Sequence, residues 1–136
     1  MTDKKKLVFA TGKRKTAIAK AVLKPGKGAV TINNHALDAL PNEMGRSKIM
    51  EPLLVAGDVA KGVAIQVTVT GGGAMGQAEA CRMAIARGLA QWGRGEELKK
   101  RFMEYDRSML AGDQRRTEPK KFGGPGPRTR RQKSYR

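Results

Sequence analysis

The stretch TVTGGGAMGQAEACRMAIARGLA, residues 68–90, joins a run of alternating apolar and polar residues to a run with helical spacing. Upstream of the glycines, Val63, Ile65, Val67 and Val69 alternate with Ala64, Gln66, Thr68 and Thr70, which predicts a strand with one buried face. Downstream, Ala78, Cys81, Ile85, Leu89 and Trp92 recur every three or four residues and predict a helix with one apolar stripe, with Glu79, Arg82 and Met83 lying off it. Between the two, Gly71, Gly73 and Gly76 stand at the spacing G-x-G-x-x-G, where a dinucleotide-binding unit carries its phosphate loop.

The enzyme reading meets two obstacles. A dinucleotide fold needs a second strand after the helix, ending in an acidic residue that holds the ribose. Glu96 and Glu97 come at about the right distance, roughly 20 residues on, but in a helical segment. A mononucleotide phosphate loop needs Lys and then Ser or Thr after its last glycine, and Gln77 and Ala78 stand there instead. What survives is the physics of the loop. Glycines let backbone N–H groups approach a phosphate closely, and a helix N-terminus adds partial positive charge. The same glycines also suit a tight strand-to-helix turn with unusual dihedrals, and both readings stay open.

The chain has 136 residues, the size of one domain, so a cofactor domain plus a substrate domain would not fit. Its 28 Lys and Arg outnumber 12 Asp and Glu, a formal charge of +16 that calls for a polyanionic partner, nucleic acid first. The excess is concentrated at the ends: residues 1–20 carry +6, residues 21–111 only +3, and residues 112–136 carry +7. Cys81 is the single cysteine, which excludes an internal disulfide and a multi-Cys zinc site and fits a reducing compartment. The apolar stretch at residues 7–10 is too short for a signal-peptide core, and residues 62–78, uncharged but glycine-rich and alternating, do not read as a membrane span.

Elsewhere, residues 6–33 show period-two patterning, with Ala17, Ala19, Ala21 and Leu23 facing opposite to Ile18, Lys20, Val22 and Lys24, and Val30 and Ile32 alternating with Thr31 and Asn33. The punctuation by Gly12-Lys13-Arg14-Lys15 and Lys24-Pro25-Gly26-Lys27-Gly28 predicts a three-stranded antiparallel meander. Leu37, Leu40, Met44, Ile49, Met50, Leu53 and Leu54 predict one or two short helices limited by Pro41 and Pro52, and residues 96–105 a further short helix. Beyond Gly112 the pattern stops. The expected organisation is therefore a globular body over residues 1–111 and an extended basic tail over 112–136 that orders on its partner.

Lys13, Arg14 and Lys15 sit on a predicted hairpin turn and project from a rigid sheet, with Thr11 and Thr16 as added hydrogen-bonding groups. In the tail, Pro119, Pro125 and Pro127 are expected to keep the chain extended, so that its arginines thread between phosphates while Tyr135 stacks on a base. His35 reads as a surface histidine, Cys81 and Trp92 as packing residues, and the scattered methionines as gap fillers. No Ser, His and carboxylate cluster stands out, and neither a metal nor a cofactor is expected.

Three segments in order, TGKRKTAIAKAVLKPG, GGGAMGQAEACRMAIARGLA and RRTEPKKFGGPGPRTRRQKSYR, resemble the small-subunit ribosomal protein S-nine family over nearly the whole chain. The resemblance implies a noncatalytic RNA-binding protein in the head of a bacterial-type small subunit, in the cytoplasm. It implies a two-layer α/β (α+β) fold of the ribosomal protein S-five domain-two-like kind: a mostly antiparallel four-stranded sheet with helices on one face and a left-handed crossover. The same superfamily holds sugar and mevalonate-type kinases with a glycine-rich loop before a helix. Carried over, the family's ribosomal RNA contacts fall on Thr11, Gly12, Lys13, Arg14, Lys15, Thr16, Gly71, Gly72, Gly73, Gln77, Arg82 and Arg107, and in the tail on Arg115, Arg116, Lys120, Lys121, Arg128 and Arg130. The contact with peptidyl-site transfer RNA falls on Arg131, Lys133, Tyr135 and Arg136, and neighbouring head proteins are implied partners. Against this stand a small nucleotide-dependent kinase using the Gly71–Gly76 loop, and a nonspecific DNA-condensing protein.

Overall fold

The computed structural model describes residues 7–93, 96–112 and 114–131. At its centre lies β2 (Ala17–Pro25), whose Ala17, Ala19, Ala21 and Leu23 are at most 1% exposed while Ile18, Lys20 and Lys24 face outward. On one side β1 (Val8–Arg14) pairs with it antiparallel, joined by the two-residue turn Lys15-Thr16. On the other side the partner of β2 is β5 (Val63–Thr70), also antiparallel, with Val63, Ile65, Val67 and Val69 buried as their alternation predicts.

The predicted meander is therefore not what forms. β3 (Val30–Ile32) does not touch β2; it pairs parallel with β5, and β4 (His35–Ala36) adds a two-residue edge, giving the order β1-β2-β5-β3-β4. Five strands replace the expected four, the fifth being this short edge. Strand length explains the exchange: β2 has nine residues, β3 only three, and the eight-residue β5 supplies the longer ladder and the wider apolar face. The loop between β2 and β3 closes on the start of β5 instead, with the Gly26 N–H donating to the Gly62 carbonyl and the Ile65 N–H to the Ala29 carbonyl.

One face of the sheet is covered by α3 (Ala74–Trp92), which packs chiefly on β1 and β2. Small residues set how closely it lies. Ala17, Ala19 and Ala21 face Ala80 and Ala84 within one core, and a Cβ at Gly12 would meet the Ala80 carbonyl and come within 2.6 Å of the Ala84 nitrogen. Packed against α3 are α1 (Glu43–Ala56), α4 (Glu96–Tyr105) and α5 (Ser108–Ala111), while α2 (Asp58–Lys61) meets α1 and β5. A short 3-10 turn, Leu37–Ala39, leads toward α1.

Three local expectations change. Pro52 does not stop α1, which starts at the Asn42 cap and runs on to Ala56; the proline comes after more than two formed turns and is buried, so packing offsets the lost backbone bond of about 3 kcal/mol. Met83 lies off the predicted stripe yet is only 5% exposed, because Gly112 lies against its far side, beyond the sheet contact. The methionines divide, since Met109 fills the core while Met44, Met50 and Met103 are exposed.

Candidate nucleic-acid interface

The two-residue turn between β1 and β2 holds Lys15 at φ 53°, a left-handed conformation that a non-glycine residue adopts at some cost. Lys13, Lys15, Thr11 and Thr16 are all exposed around it. Gly12, in the same motif, is buried under α3 and serves the close approach of helix to strand. Arg14 turns inward, its Nε 2.7 Å from Glu79 Oε2, and Lys48 Nζ lies 3.1 Å from the other oxygen of that carboxylate.

The glycine loop packs directly behind this turn. Gly71 and Gly72 have φ of 80° and 67°; a Cβ on Gly71 would meet the Thr16 carbonyl, and one on Gly72 would come within 2.9 Å of Ala17 Cβ. Gln77 Nε2 donates to the Gly71 carbonyl at 3.1 Å and fixes the loop from the helix side. Gly71 and Gly72 are required by strand-to-helix geometry, whereas Gly73, which caps α3 without a side-chain hydrogen bond, borders open space. A groove of about 310 Å³ runs here, lined by Arg14, Lys15, Thr16, Gly72, Gly73, Met75, Gly76 and Glu79.

A larger cavity, about 520 Å³, opens where the tail leaves the body. Lys13, Lys15, Arg87 and Arg116 line it together with Met83, Ala111, Gly112 and Gln114, and among the described residues no carboxylate lines it. Arg87 ties its walls together, Nε donating to the Leu110 carbonyl at 2.9 Å and Nη1 to the Thr11 carbonyl at 3.0 Å. Gly112, at φ 87°, turns the chain away beside the Arg87 guanidinium. Sequence reasoning missed Arg87; its position four residues after Met83, on the helix side toward β1, was the available signal.

Other expected RNA contacts are engaged within the protein. Arg82 is 13% exposed and bridges Glu51 on α1, at 2.6 Å, and Asp106 after α4, at 2.8 Å. Burial pushes the Asp106 carboxyl up, but hydrogen bonds from Arg82 and from the Ser108 hydroxyl and N–H, with the Arg82 charge, outweigh it and hold the group below its ordinary 3.8. Arg107 is exposed at the start of α5, and Arg115 borders a cleft with Arg14, Lys48, Arg82 and Asp106. The Cys81 thiol, buried in the core, is pushed up to about 12, so it is an inert packing group.

The tail does not stay extended through its prolines. Gly123, at φ 94°, starts a reversal that the Arg131 N–H closes by donating to the Gly123 carbonyl at 3.2 Å. Glu118 gathers Lys121 at 2.8 Å and Arg128 at 2.9 Å, whose hydrogen bonds lower its pKa. Lys120, Arg130 and Arg131 are exposed, while Lys133, Tyr135 and Arg136 lie outside the described residues. Among the described residues, no three His, Cys, Asp or Glu side chains are grouped to hold a metal, and no helix is long and apolar enough to cross a membrane.

Residues 12–136 match the model of the ribosomal protein S9/S16 family. The chain is 56% identical over its full length, and over 97% of the relative, to the small ribosomal subunit protein uS9 of Desulfurococcus amylolyticus. It is 52% identical to the protein of the same name from Pyrobaculum aerophilum, covering 96% of this chain and 92% of the relative. The counterpart from Aeropyrum pernix is 51% identical, with 96% and 97% covered. These relatives are archaeal, where the resemblance implies a bacterial-type subunit.

Proposed function

Because the chain belongs to the ribosomal protein S9/S16 family and is a structural, noncatalytic constituent of the small ribosomal subunit, we propose that its exposed cations bind the subunit's RNA in two stages. The β1–β2 turn, the root of the tail and the tail as far as Arg130 hold ribosomal RNA phosphates, and the tail from Arg131 onward reaches peptidyl-site transfer RNA. Neighbouring proteins of the subunit complete its partners.

The observation that carries this reading is the cavity at the tail root. Lys13, Lys15, Arg87 and Arg116 converge there from β1, the turn, α3 and the tail, and like charges so gathered repel unless an anion sits among them. A phosphodiester fits: Lys supplies a point charge, Arg a planar pair of donors. The contacts are to the backbone of the nucleic acid, so they position and do not read sequence.

Salt dependence tests the first stage. Replacing Lys13, Lys15 and Arg116 by alanine lowers affinity for ribosomal RNA and flattens the log–log salt slope by up to about 0.9 per phosphate lost; an unchanged slope contradicts it. Deleting residues 128–136 tests the second stage. Transfer RNA binding to assembled subunits weakens while assembly persists, and a truncation that abolishes assembly means the tail has a different role.

A further inference from the structure

The face of the sheet turned away from the helices has no element over it among the strands and helices described. The pairing register makes it a lattice: Phe9, Val22, Gln66 and Thr31 form one row, Thr11, Lys20 and Thr68 the next, and Lys13, Ile18 and Thr70 the third. Phe9 is 68% exposed and Ile18 42%, large apolar groups that an uncovered sheet would normally replace with polar ones. Lys24, beyond Val22 on the same side of β2, adds a further cation. None of the five strands carries an Asp or Glu.

We propose that this open sheet face binds an unpaired segment of RNA, Phe9 stacking on a base while Lys20 and Lys24 hold the flanking phosphates and the threonines and Gln66 meet base edges and ribose hydroxyls. Two features select RNA over a protein partner. The cationic face with no strand carboxylate complements a polyanion, and apolar groups separated by lysines do not form the continuous, charge-depleted centre of a protein interface. Sheets that bind single-stranded RNA use this combination, an aromatic platform framed by cations. Phe9, Lys20, Lys24 and Gln66 line neither the glycine-loop groove nor the tail-root cavity; only Lys13, in the third row, is shared with the cavity.

The test uses the full chain with a ten-nucleotide oligouridine and, as control, an RNA duplex of the same length. Phe9→Ala weakens oligouridine binding by about 5-fold or more, Phe9→Tyr restores it, and duplex binding does not change. Lys20→Ala with Lys24→Ala flattens the salt slope by about 0.7 per phosphate. A thiouridine-substituted oligomer crosslinks to Phe9 or its strand neighbours. These side chains are exposed, so thermal unfolding of the variants matches the parent. Wild-type affinity in the Phe9 and lysine variants, or crosslinking of Phe9 only to a protein in the assembled subunit, overturns the inference. An independent variant, Lys13→Ala with Lys15→Ala and Arg116→Ala, assayed on ribosomal RNA, separates the two proposals: lost binding there with silent sheet variants removes the sheet face and leaves the tail-root site standing, whereas no loss in either set removes both.

Discussion

Arg82 and Lys20 lie in opposite layers of the same small body, and their surroundings differ in kind. Arg82, on α3, has Glu51 on one side and Asp106 on the other. Lys20, on β2, projects from a sheet in which no strand holds a carboxylate. The described body acids, from Asp38 to Asp106, all lie on the helices or the segments that join them. The part-buried ion pairs of the helix layer thus bind element to element, as Arg14 and Lys48 also do around Glu79. Charge on the sheet face, the turn and the tail root faces outward, and among the described residues no carboxylate pairs with Lys13, Lys15, Lys20 or Arg116.

The contrast breaks first at Gly12. Its substitution by alanine forces a Cβ against the backbone of α3, so stability falls by about 3 kcal/mol, read from the urea midpoint. A loss under about 0.5 kcal/mol would mean that helix and strand do not meet as closely as the structure has them.

Next comes the interior pairing. Arg82→Ala separates α1, α3 and the turn after α4 and costs about 1–3 kcal/mol, less than for a fully buried pair because both carboxylates retain access to water. The Asp106 carboxyl adds a pH signature. Its folded pKa lies below its ordinary 3.8, so its stabilisation is present above that value and is lost as pH falls through it toward the folded pKa. Denaturation measured across that interval steepens in the parent and flattens in Asp106→Asn; an equal slope in both rejects the pairing.

Smaller in stability, and the sharper contrast, is the turn. Lys13→Ala, Lys15→Ala and Arg116→Ala leave stability within about 0.5 kcal/mol while weakening RNA binding. Least of all, Lys99→Ala and Lys100→Ala on α4 alter neither stability nor RNA affinity beyond about 0.5 kcal/mol, as exposed helix lysines away from the interface.

Local pattern made much of this legible. The alternation from Val63 to Thr70 and the helix at Glu96–Tyr105 stand where the residues predicted, because each is set by burial of its own side chains. The partner of β2 was not legible: the turn chemistry after Lys24 describes the chain locally, and the insertion of β5 depends on a strand almost forty residues on, matched in length. Arg82 shows the same limit within the candidate site, since its carboxylates come from α1 and from the segment after α4, and its sequence neighbours Cys81 and Met83 contain no record of such partners. The tail reversal at Gly123 is a third case, where proline content suggested extension and a positive-φ glycine decided otherwise.

The most direct test of the division between layers is lysine reactivity, comparing acetylation of the free chain with that of the assembled small subunit. Lys13, Lys15, Lys20, Lys24, Lys120 and Lys121 become protected, and Lys61, Lys99 and Lys100 on the helices keep their free-chain rates. Protection confined to the helix lysines, with the sheet and turn still reactive, would contradict the assignment of outward charge to RNA.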